Sequence, residues 1–341
     1  MHPQERLTVP PLAMQWLRFR YRVTESPEVV TLITFLVVFV FFSFAASNFL
    51  TPFALSNILT FASVNGLIVL GVAMLMISGE FDLSVGSTLA VSGYVFALLL
   101  NAGAAPLVAL VAALLVSALL GLVNGLIVTR TGIPSFITTL GTMLGYRGVA
   151  RAIGGGDMAS YTGERPALFY FLNGSLDPLN NLFQPAANFR ASTLWFVGLA
   201  VLLTLVLMRT RYGNWTFATG GNPGAARAQG VNITRVKVTN FVLCALLAGL
   251  AGVVQFSHRY SIDPLRGEGI ELLAVAASVI GGVRLTGGFG TLLGAGLGIL
   301  LLAMLEQGLV LMNLPIQVFR AVAGFILVLS VAINTYLARR E

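Results

Sequence analysis

Residues 53–87 read FALSNILTFASVNGLIVLGVAMLMISGEFDLSVGS. The stretch from Phe53 to Ser78 carries no charge, and about 20 such residues suffice to span the hydrocarbon core of a bilayer. Two carboxylates, Glu80 and Asp82, follow at once, and a second apolar run opens within a few residues. A chain that leaves one apolar span and enters the next with so little spacer is turning at, or inside, a membrane.

The rest of the chain repeats this pattern. Val29 to Ser47 is also free of charge, and of all 341 residues 57% are hydrophobic and 10% charged. A soluble domain carries about 25% charged residues, so this composition excludes a water-facing surface over most of the molecule. The expected fold class is an all-α integral membrane protein of about ten transmembrane helices. The runs place them near 29–47, 55–78, 84–100, 106–128, 134–153, 192–208, 237–256, 270–283, 289–311 and 315–337. The eighth is short and ends in glycine, which predicts a break there. Residues 29–337 form one transmembrane domain between a polar tail, 1–28, and a short tail, 338–341. The first apolar run is too long for a signal-peptide core and no small-residue cleavage site closes it, so it reads as a retained helix behind a cytoplasmic tail.

The net charge is +7, from 19 Arg and the one lysine, Lys237, set against 13 acidic residues. The cations sit singly at helix ends rather than in a basic stripe, which argues for membrane orientation and against nucleic acid as partner. With both termini in the cytoplasm, the inside segments hold thirteen cations, from Arg6 through Lys237 to Arg340. The outside segments and adjacent helix ends hold six: Arg147, Arg151, Arg165, Arg190, Arg259 and Arg266. The positive-inside rule therefore predicts 154–191 as an external loop, with His258 in a later external loop, and 209–236 as a cytoplasmic one. The turn 125–134 resembles 308–315, five helices away, as in an inverted repeat. Gly79 to Ser84 also resembles Gly281 to Thr286, six helices away, which the same symmetry does not explain.

The cytoplasmic loop contains Gly220-Gly-Asn-Pro-Gly-Ala-Ala-Arg-Ala-Gln-Gly230. Asn222 is a good N-cap, Pro223 suits the first helical position and Gly230 suits the stop. The enclosed helix of about two turns, with Gly224, Ala225, Ala226 and Arg227, is too short to stand alone in water. Its small side chains suit docking in another protein's groove, and its other reading is a surface turn. Asp82 fits either an N-cap for the helix starting at Ser84 or a pathway carboxylate, because charged groups in a membrane face cavities or partners. Among polar residues within spans, Asn65 is the foremost pathway candidate and Asn124 is another; Ser and Thr, here Ser63, Thr138 and Thr139, more commonly serve packing. The single cysteine, Cys244, excludes an internal disulfide, and there is no phosphate-binding GxxxxGK[ST] loop and no cluster of metal-ligating or catalytic residues. No catalytic residue and no metal site is expected.

These residues resemble the ribose/xylose/galactose-type permeases of bacterial ATP-binding-cassette importers, the simple-sugar branch of the branched-chain permease family. The resembling segments are Gly79 to Ser87, Gly221 to Val231, the Pro134 to Gly141 turn and the glycines Gly281, Gly282, Gly287, Gly288 and Gly290. The likeness covers about residues 50–335, and it departs where Glu80-Phe81 replaces the usual Gly-Ile. It implies an inner-membrane translocation subunit rather than an enzyme. ATP and magnesium would sit on a separate cytoplasmic ATP-binding subunit. An external or periplasmic sugar-binding protein and a second permease copy or sister permease would complete the assembly, with membrane lipid around it. Asn222 to Gly230 would be the coupling helix, and Asn65, Glu80, Asp82, Ser84 and Asn124 would be pathway candidates for a monosaccharide. A nucleoside, amino-acid or signalling-molecule importer is the near alternative, and an ion-coupled secondary transporter is the alternative of another class.

Overall fold

The computed structural model describes residues 27–183 and 187–338; most of the N-terminal tail and the last three residues lie outside them. The described chain is almost wholly helical. The apolar helices are α1 (Pro27–Ala45), α2 (Pro52–Ile77), α3 (Val85–Asn101), α4 (Pro106–Thr131) and α5 (Ser135–Ile153). A connection with β1 (Ala159–Ser160), α6 (Ala167–Asn173) and α7 (Asp177–Asn180) leads to α8 (Ala191–Arg209). Then come α9 (Arg211–Gly221), α10 (Pro223–Ala228), α11 (Ile233–Arg259), β2 (Ser261–Ile262), α12 (Ile270–Ile280), α13 (Leu292–Leu311) and α14 (Ile316–Ala338).

A helix stands at each position the sequence indicated, though not each is long and apolar enough to span. Five of them, α2, α4, α8, α11 and α13, are long and apolar enough to cross a membrane. Shorter apolar stretches occur in α1, α3, α12 and α14. The helix α5 is not in either group, being interrupted by Thr138, Thr139, Arg147 and Arg151.

Local chemistry sets the helix ends. Thr51 caps α2, its hydroxyl accepting from Ala54 N at 3.3 Å ahead of Pro52. Gly132 ends α4 with φ 72°, and Pro134 precedes α5. The break after α2 turns on Gly79 at φ 85°, and that after α12 on Gly282 at φ 89°, conformations that a side chain disfavours.

The helices α2 and α11 pack against each other at the centre, flanked by α3 and α4 on one side and α13 and α8 on the other. From Ala62 to its end at Ile77 every residue of α2 is buried, as expected of a helix apolar on all faces. Where α11 approaches α2 and α4, small residues allow the contact: a Cβ on Gly121 would meet Phe241 O at 2.5 Å. The outer faces are apolar too, with Leu107, Val111, Leu115 and Leu119 exposed along α4 and Leu194, Val197, Val201 and Leu205 along α8. Exposed apolar stripes of this length belong against lipid, not water.

Several sequence expectations change. The loop expected at 209–236 is mostly helix, since α9 and α10 occupy it and α11 begins at Ile233. The seventh apolar helix is therefore longer than 237–256, and the eighth ends at Ile280 rather than 283. His258 lies in the last turn of α11, not in a loop. The connection 154–191 is also built: β1 pairs antiparallel with β2, and Phe169 of α6 is buried between Phe96 and Phe256. The turn 125–134 lies by the α2–α3 break, Ser135 Oγ accepting from Phe81 N, whereas Gly308 at the start of 308–315 lies against Phe42, near the α1 end that leads into α2. The two Gly79-like and Gly281-like breaks lie side by side.

Candidate coupling segment and polar cavity

The helix α10 follows the predicted capping pattern. Asn222 Oδ1 accepts from Ala225 N at 3.0 Å, Pro223 is the first helical residue, and Gly230 turns away at φ 82°. Pro223, Gly224, Ala225 and Arg227 are exposed. Ala226 faces inward, 5% exposed, against Val231 and Val236. The face that α10 offers to a partner is thus that of Ala225 and its exposed neighbours, and Ala226 serves the chain's own packing.

Just before α10 the backbone of Gly220 and Gly221 meets the two breaks. Gly288 N donates to Ile77 O at 2.8 Å. A Cβ on Gly220 would lie 2.0 Å from Ile77 O, one on Gly287 2.7 Å from Gly79 Cα, and one on Gly288 2.4 Å from Gly221 Cα. Three segments far apart in sequence therefore touch main chain to main chain. Beside this junction Glu80, on the α2–α3 break, forms an ion pair with Lys237 in the first turns of α11.

Asp82, Ser84 and Asn124 come together a little deeper. Asp82 Oδ1 accepts from Ser84 N at 2.7 Å and from Ser84 Oγ at 2.6 Å. Asn124 Nδ2 donates to Ser84 Oγ at 2.9 Å, and its Oδ1 accepts from the Tyr146 hydroxyl at 3.1 Å. Asp82 and Ser84 are fully buried and Asn124 is 1% exposed. The carboxylate binds a backbone N–H as a cap does, but ahead of α3, whose flanking residue is Ser84. The knot ties the break to α4 and α5. Of the pathway candidates, Asn65 lies apart from this knot and lines a cavity at the other end of α2.

At the other end of α2 a cavity of about 790 Å³ opens between α2, α11, α12, α13 and α14. Asn57, Thr60 and Asn65 line it from α2, Gln255 and His258 from α11, Glu306 from α13 and Arg320 from α14. Glu306 Oε2 is buried without a hydrogen-bond partner. Sequence reading passed over Glu306, although a lone carboxylate in the apolar run Leu292–Leu311 is the signal a membrane span gives. It also passed over Lys237 as the partner of Glu80, which lies 157 residues away in sequence. Among the described residues there is no cluster of His, Cys, Asp or Glu able to hold a metal.

Residues 54–331 match the family described as branched-chain amino acid transport system / permease component. The ribose import permease of Escherichia coli (strain K12) is 35% identical over 309 residues, 90% of this chain and 93% of its own. The L-arabinose ABC transporter permease of Azospirillum brasilense is 32% identical over 98% of this chain and 96% of its own. The autoinducer 2 import system permease of Salmonella typhi is 32% identical over 89% and 84%. No solved structure matches.

Proposed function

We propose a function from one premise: the chain belongs to the branched-chain amino acid transport system / permease component family of importer permeases, and is a multi-pass protein of the bacterial inner membrane. Its place in that family is that of a translocation subunit rather than a catalyst. We infer that it moves a monosaccharide into the cytoplasm, driven by ATP hydrolysis on a separate subunit, with an external binding protein delivering the sugar and a second permease completing the pore. The names of the relatives support the sugar: ribose and L-arabinose above, and xylose/arabinose for a permease of Sulfolobus acidocaldarius, 32% identical over 89% of this chain. The autoinducer 2 relative keeps a signalling molecule as the second reading. An ion-coupled carrier leaves α10 without a role.

The observation that carries the mechanism is the contact of the α9–α10 backbone with both helix breaks. In this reading α10 faces the cytoplasm and docks on the ATP-hydrolysing subunit. A push on α10 reaches Gly220, and through it Gly79 and Gly287, with no flexible side chain between. From Gly79 it passes to the Asp82 knot and α3, and from Gly287 to α12 and α13. Closure of the ATPase thereby becomes a shift of the elements around the pathway.

The test is Ala225→Trp, on the exposed face of α10, with co-purification of the ATP-hydrolysing subunit and transport measured together. A bulky residue in a packed groove costs about 1–3 kcal/mol, so docking should fall roughly tenfold while membrane insertion is unchanged. Ala226→Trp does not serve, because that residue packs within this chain. Docking and transport at wild-type levels in Ala225→Trp would remove α10 from the coupling role.

A further inference from the structure

We propose that the cavity between α2, α11, α12, α13 and α14 is a binding station for a neutral polyhydroxylated substrate, with Glu306 accepting from its hydroxyls. The inference rests on the importer reading and names the site and the ligand chemistry within it. The cavity lies toward the end of α2 remote from the α10 junction. It reaches Asn65, about 20 Å along α2 from its first residue at 1.5 Å per residue. Its volume of about 790 Å³ suits a small molecule.

The lining sets the ligand class. Glu306 is half-buried and one carboxylate oxygen meets no donor. Arg320 lines the same space, exposed, and among the described residues the two form no ion pair. Gln255 and Asn65 add amides, Asn65 Nδ2 donating to Phe61 O at 3.0 Å. The lining carries both signs: Glu268 and Glu306 on one side, Arg259, Arg266 and Arg320 on the other, with Arg266 already paired to Asp263. An anion would satisfy the arginines and be repelled by the glutamates, and a cation the reverse. A hydroxyl both donates and accepts, so a polyol satisfies both kinds at once. Phe61 and Phe319 also line the cavity and add apolar surface, which suits the C–H groups of a sugar ring.

The experiment uses the full chain in proteoliposomes with its ATP-hydrolysing subunit and binding protein. The probes are radiolabelled D-ribose, L-arabinose and D-xylose. Glu306→Ala should lower the uptake rate at limiting sugar by about tenfold or more, the order of one charge-assisted hydrogen bond. Glu306→Gln, which keeps an acceptor oxygen, should retain a larger share. ATPase co-purification should be unchanged in both. A second measurement does not depend on those variants assembling. Leu272 lines the cavity, 60% exposed, while Cys244 is fully buried. Leu272→Cys should react with a bulky thiol reagent, lose uptake on reaction, and be protected by millimolar sugar. Wild-type uptake in Glu306→Ala, or a labelled Leu272→Cys that still transports and gains no protection from sugar, overturns the station. If wild type itself takes up none of the three sugars, the importer-of-sugar reading falls and the station with it.

Discussion

Lys237 is the chain's one lysine, and it is paired with the carboxylate that marks this chain's departure at position 80. The side chains are 21% and 10% exposed, too sheltered for water to replace the partner fully. Breaking a buried pair by removing one member costs about 3–5 kcal/mol, and an exposed pair is worth under about 1. A cost between those limits, roughly 1–3 kcal/mol, is expected for Lys237→Ala. Glu80→Ala in that background should add little. Thermal unfolding in detergent of the two single variants and the double gives the coupling; additive losses would show that the pair contributes nothing. Asp82 differs, since its partners among the described residues are hydroxyl, amide and backbone donors. The sequence showed that the two carboxylates sit between two apolar runs. It did not separate their fates, because the partners, Lys237 and Asn124, lie far along the chain and no local spacing announces them.

At the scale of elements, helix breaks matter as much as helices. The apolar runs and their caps were legible because they depend on neighbours in sequence: Thr51 before Pro52, Gly132 before Pro134, Asn222 before Pro223. The helix α9 was missed because Arg211-Tyr-Gly-Asn-Trp-Thr-Phe-Ala-Thr-Gly-Gly221 is half polar and rich in glycine, and packing on α8 and α11 overrides that low propensity. The glycine junction could not be read at all, since it joins residues near 79, 220 and 287. Its tightness makes a prediction. Gly220→Ala places a Cβ 2.0 Å from Ile77 O and 2.6 Å from Gly288 N, both backbone atoms. The segments must part, at a cost of about 1–3 kcal/mol. Transport per ATP hydrolysed should fall more than hydrolysis itself. Gly141→Ala, with open space around the added carbon, is the control and should change neither. Equal behaviour of the two variants would mean that the junction transmits nothing.

For the whole molecule, the charge-poor composition already excluded a soluble fold, and the lipid-facing stripes on α4 and α8 agree with that. The cavity as a whole was not legible, because its lining is drawn from five helices; Glu306, alone in its apolar run, was the one sign of it. The coupling segment and the cavity stand at opposite ends of α2, and the central claim is that ATP hydrolysis acting at one end moves a sugar entering at the other. The most direct measurement is uptake of labelled ribose, arabinose or xylose by proteoliposomes holding the chain. The binding protein is outside, and the ATP-hydrolysing subunit and ATP are inside. Accumulation against a gradient is predicted only when subunit and ATP are both present, and a sodium or proton gradient should not replace them. Uptake driven by an ion gradient without the ATP-hydrolysing subunit would contradict the account.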